Sequence, residues 1–201
     1  MKRIGVDVAI KSITADMVHD VNVCLNEDNP SGAAWLGGGL VAFCYIEQLG
    51  ALLLRKRKKT EGDWHYSAAF IRTYMPDFAK AIREDFVALK GVKEPDAFRE
   101  FIREFRNGLV HCYFPKAIGW LQTINQYSAT NPFLWKDPEY GGVVVNLLKL
   151  RESFRSGALQ YADDVVKNVV IHYQGKNILV RDNCIKVLNK WIPHDQIVDK
   201  T

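Results

Sequence analysis

Between Ile13 and about Asn168, apolar residues return at intervals of three and four, the period of an α-helix with one face turned inward. That repetition limits the chain to successive helices burying a shared stripe, so the expected fold class is mainly α, a helical bundle. The spacing predicts helices near 13–27, 33–58, 63–75, 77–90, 95–113, 116–128 and 141–168. Pro30, Pro76, Pro95, Pro115, Pro132 and Pro138 fall mostly between these segments, where proline opens or breaks a helix. The run LGGGL, Leu36 to Leu40, lacks the GK[ST] ending of a phosphate loop and reads as close helix packing.

After Asn168 the pattern changes. VVIHYQGKNILVR is β-branched and aromatic on both sides of Gln174-Gly175-Lys176-Asn177, which predicts a small C-terminal β-hairpin. Asp182 or Asn183 is expected to cap a last short helix with Ile185, Leu188, Trp191 and Ile192 on one side, stopped by Pro193. The opening RIGVDV alternates like a strand and is expected to extend the hairpin into a small sheet. The organisation is therefore a helical body over 1–168, with a hairpin and short helix over 169–201 appended to the same domain.

A chain of 201 residues, 48% hydrophobic, supplies one domain with a substantial core. Lysine and arginine exceed aspartate and glutamate by 27 to 23, a charge of +4 that permits a polyanionic partner such as RNA without requiring one. Cys24, Cys44, Cys112 and Cys184 form no CxxC pair, which points to reduced thiols rather than a zinc cage or disulfide framework. The N-terminus lacks the apolar core of a signal peptide, and the apolar run within 33–54 is broken by glycines, Glu47 and Gln48. A cytoplasmic protein with no membrane partner is expected. His19, His65, His172 and His194 lack metal-ligand spacing, so neither a metal nor another cofactor is expected. Asp7 in IGVDV matches the metal-holding first strand of some nucleases, but the further strands and carboxylates of those folds are missing. The basic run Arg55, Lys56, Arg57, Lys58, Lys59 has two readings: a solvated helix end favoured by the helix dipole, or a contact to RNA phosphates.

The segment FREFIREFRNGLVHCYFPK, Phe98 to Lys116, carries the chemistry. At 100° per residue, Phe98, Phe101, Ile102, Phe105, Leu109 and Cys112 gather on one side. Glu100, Glu104, Asn107 and His111 form a polar stripe opposite, with Arg106 at its flank. Val110 and Phe114 fall on that same outer side, where an apolar residue beside a histidine suggests a second surface. Gly108 allows another backbone to approach.

RNGLVH, Arg106 to His111, resembles the Rx4-6H signature of HEPN domains, all-helical bundles in which many members are metal-independent endoribonucleases. Asn107 meets the preference for a polar residue after the arginine, and Tyr113 extends the run to the R-x4-H-x-Y form of toxins in HEPN/MNT toxin–antitoxin modules. The resemblance implies a HEPN-like helical bundle acting as a homodimer, with Arg106, His111 and Asn107 as catalytic residues of both copies converging on RNA. It also implies a nucleotidyltransferase antitoxin that modifies Tyr113 with AMP; simple packing is the alternative role of that tyrosine. The alternative function is a catalytically inactive HEPN-like protein binding RNA, a nucleotide or a protein partner. The chemistry is consistent with the residue types: histidine, with an ordinary pKa near 6.5, takes or gives the protons of a 2′-hydroxyl attack, while arginine offers a planar fork to phosphate oxygens.

Overall fold

The first strand is shorter than its alternation suggests. β1 (Lys2–Gly5) gives way at Gly5 to α1 (Val6–Cys24), whose buried residues Val6, Ile10, Thr14, Met17 and Val21 extend the helical period back beyond Ile13. The computed structural model describes residues 2–25, 32–55, 62, 64–112, 119–122, 132–137, 141–192 and 195–199, and for 2, 32–35, 107–112, 119–122 and 195 the backbone alone. Within these residues the chain is mainly helical, as the periodicity requires.

The apolar α2 (Gly32–Leu54) packs against α1 and against several of the later helices. A Cβ at Gly50 would lie 2.0 Å from the Tyr66 carbonyl oxygen, so the contact between α2 and α3 (Trp64–Tyr74) is closer than any side chain allows. At Gly38 a Cβ would collide with the Leu25 side chain, whereas Gly37 faces open space; close packing therefore accounts for one of these two glycines. Leu36–Leu54 is long and apolar enough to cross a membrane by length and composition, with mean hydropathy 1.5, and half of it is buried within this fold. The helix stops at Leu54 rather than continuing to 58, because Arg55 turns into the left-handed region at φ 61°.

α4 (Pro76–Ala81) runs through a π-helical segment (Ile82–Phe86) into α5 (Val87–Lys90), which Gly91 closes at φ 67°. A 3-10 turn (Glu94–Asp96) leads to α6 (Ala97–Cys112). On α6, Phe98, Phe101, Ile102 and Phe105 are all buried, as the spacing predicts. Phe101 is the centre of an aromatic cluster, with ring centroids 4.7 Å from Phe105, 5.3 Å from Phe86, 5.5 Å from Phe78 and 6.1 Å from Phe43.

The helix expected over 116–128 is not formed at its centre. Gly119–Gln122 is a strand, β2, parallel to β4 (Val143–Asn146), with β3 (Leu134–Lys136) antiparallel on the other edge. β4 is a buried β-branched run, the composition of a central strand. The helix expected from 141 consequently begins later, as α7 (Leu147–Val166), where the Asn146 side chain accepts a hydrogen bond from the Lys149 backbone N–H at 3.1 Å.

The C-terminal hairpin forms as β5 (Val170–Tyr173) and β6 (Lys176–Leu179), joined through Gln174 and Gly175 at φ 48° and 74°, the two positive values of a type I′ turn. α8 (Val180–Trp191) starts before both expected caps. It buries Val180, Cys184, Val187 and Leu188 and leaves Trp191 45% exposed, so its inward face is rotated from the expected one. The first strand does not join the hairpin: β1 pairs in parallel with β7 (Asp195–Val198). Asn189 pins β7 by donating to the Ile197 carbonyl at 2.8 Å and accepting from the Ile197 N–H at 2.7 Å. Arg181, 6% exposed, joins these ends by donating to Asp199, to Asp7 at 2.5 Å and to the Val165 carbonyl at 3.0 Å.

Candidate functional site

The polar side of α6 is less wet than a solvated stripe. Glu104, its side chain only 12% exposed, binds Lys90 at 2.8 Å, and burial raises its carboxyl above the usual range against the opposing pull of Lys90. Glu100 draws in Arg103 at 2.6 Å and Arg99 at 3.3 Å. The acidic residues of the stripe are thus engaged by nearby cations, and neither is paired with Arg106.

Arg106 instead forms an ion pair with Glu47 across the interface of α2 and α6, with side-chain exposures of 17% and 20%. The pairing follows from packing: Phe43 and Phe101 bring the two helices together, and Glu47 lies one turn beyond Phe43 on α2. A carboxylate this far out of water needs a cation, and a guanidinium supplies one with directional donors. Cys44 belongs to the same neighbourhood; burial pushes its thiol pKa up, the Arg106 charge lowers it and Glu47 raises it. Glu47 is the functional candidate that sequence reading missed. Its signal was a lone acidic residue in the apolar run of α2, noted only as a break in hydrophobicity.

The α6 backbone remains helical through Cys112, so Arg106, Asn107 and His111 share one helix, with Asn107 and His111 one turn apart. The side chains of Asn107 and His111, and all of Tyr113 and Phe114, lie outside the described residues, as do Lys56, Arg57, Lys58 and Lys59 of the basic run. Arg55 is described and exposed. Among the described residues, no three His, Cys, Asp or Glu side chains are grouped to hold a metal ion. Comparison with protein-family models, with curated proteins and with solved structures returns no match to this chain.

Proposed function

We propose that the protein is a metal-independent endoribonuclease of HEPN type, acting as a homodimer whose α6 helices bring two Arg106–His111 sets to one RNA phosphate. The observation that carries this reading is Arg106, five residues before His111 on an unbroken helix and held by Glu47 in a sheltered position between α2 and α6. A guanidinium is always charged and planar, the form that suits a phosphate, and the Glu47 carboxylate fixes its position on α6.

In the proposed reaction one His111 removes the proton from the 2′-hydroxyl, whose oxygen attacks the adjacent phosphorus. The bond to the 5′-oxygen breaks, and the leaving oxygen takes a proton from the second His111. Arg106 offsets charge building on the phosphate, and Asn107 orients the imidazole one turn away. The products are a 2′,3′-cyclic phosphate and a 5′-hydroxyl.

The test is incubation of purified protein with RNA in EDTA. Cleavage that persists in chelator, spares DNA and disappears in His111→Ala supports the proposal. Cleavage only with added magnesium, or full activity in His111→Ala, rejects it.

A second reading, an inactive HEPN-like binding protein, draws on the same ion pair, since the Arg106 charge is already answered by Glu47. Glu47→Gln separates the two. An enzyme that needs the carboxylate to aim Arg106 loses cleavage in this variant, whereas a binding protein shows no cleavage in either form.

A further inference from the structure

A hollow of about 320 Å³ opens at the far end of α2, between the start of α3, the β5–β6 hairpin and the first turn of α8. Its size falls at the lower end of small-molecule sites and suits one nucleotide unit. Tyr173 and the buried His65 line it, their rings 6.3 Å apart and edge-on, with Trp64 5.9 Å beyond His65. Lys176, Lys186, Asn177 and Asp182 also line it.

The charged groups are unevenly matched. Lys186 meets Asp182 at 4.0 Å with both side chains about half exposed, a weak i,i+4 pair that an incoming phosphate displaces at little cost. Lys176 is exposed on the hairpin, and exposed Arg55 follows Leu54, itself part of the lining. Asn177 engages His172 through its amide oxygen at 3.1 Å, leaving the NH2 of that amide as a donor. Cations, amides and a carboxylate around aromatic rings are the mixture that takes a phosphate together with a base. The basic run beginning at Arg55 continues the positive charge in sequence beyond a hollow sized for one nucleotide, which favours a strand with several phosphates over a free nucleotide.

We infer that this hollow holds one nucleotide of a single-stranded RNA, with Lys176 and Lys186 on its phosphates. The inference rests on RNA being the substrate and gives the protein a binding surface built from elements other than α6.

The experiment measures fluorescence anisotropy of a labelled 2′-O-methyl RNA 12-mer, which lacks the attacking hydroxyl and therefore reports binding without cleavage. The Lys176→Glu/Lys186→Glu protein is expected to bind about tenfold more weakly, with the slope of log affinity against log salt flatter by about 1.4, two single-strand phosphate contacts. Lys11→Glu/Lys80→Glu, the same charge change at exposed lysines outside the lining, should retain most of the affinity. Equal binding by the hollow variant and wild type overturns the inference, as does an equal loss in the Lys11/Lys80 control. Binding of AMP and GMP without binding of the 12-mer overturns it too. Cleavage of ordinary RNA is scored separately: a protein that binds through the hollow and never cuts refutes the nuclease, and one that cuts with binding indifferent to the hollow refutes only this site.

Discussion

Arg181 and Arg106 are both sheltered from water, and their surroundings differ. Arg181 reaches Asp7 near the first strand, Asp199 beyond the last, and the Val165 and Val166 carbonyls at the end of α7. Burial alone lowers its pKa, but the hydrogen bonds and charges of Asp199 and Asp7 more than reverse this, so the ionised form is favoured. Arg106 meets Glu47, a side chain on the helix packed against its own. The first arrangement ties together distant parts of the chain and caps a helix end; the second orients one guanidinium beside a proposed reaction centre. Burial and charge pairing are common to both, so they do not by themselves separate a structural arginine from a catalytic one.

The sharpest way to break this contrast is Arg106→Lys, which keeps the charge beside Glu47 and removes the planar fork. RNA cleavage is expected to fall on the order of 100-fold with little change in Tm. A large loss of Tm with activity retained would make Arg106 another Arg181. Arg181→Ala should do the reverse, costing about 2–3 kcal/mol in urea unfolding through lost charge-assisted hydrogen bonds, with cleavage per folded molecule unchanged. Thiol labelling probes the packing around the two sites. Cys184, fully buried and pushed up to about 12 chiefly by burial, should resist iodoacetamide until the protein unfolds, while half-buried Cys44 beside Arg106 reacts earlier.

The smallest effect is expected at Glu104. Its carboxyl is raised in the folded protein, so its contribution to stability is greatest below the unfolded carboxylate range and is lost as pH rises through the folded value. Glu104→Gln should therefore raise Tm slightly at about pH 8 and leave it unchanged at about pH 4. A decrease at the higher pH would mean that the Lys90 bond outweighs desolvation.

Helical period carried the reading of the body because each helix buries a stripe recorded in its own residues, clearest in Phe98, Phe101, Ile102 and Phe105. The errors arose where a segment takes its conformation from a distant partner. Gly119–Gln122 is strand because β4 lies beside it, and β1 finds β7 almost the whole chain away. The hairpin was legible because both strands and their turn are local. The arginine of the candidate site was legible from its spacing to His111, but its partner was not, since Glu47 lies on a different helix and only packing selects it.

The π segment at Ile82–Phe86 has a consequence for the aromatic cluster. Phe78 and Phe86 both reach Phe101, yet eight residues of regular α-helix would leave them about 80° apart in rotation. The wider turn acts as a phase corrector, swinging the two phenyl rings toward one side of their rod. Removing one residue there would close the wide turn and leave the rings seven positions apart, about 20° from alignment in regular α-helix, so Phe101 would keep both neighbours; forcing the full-length segment into α-helix would instead throw the rings out of step.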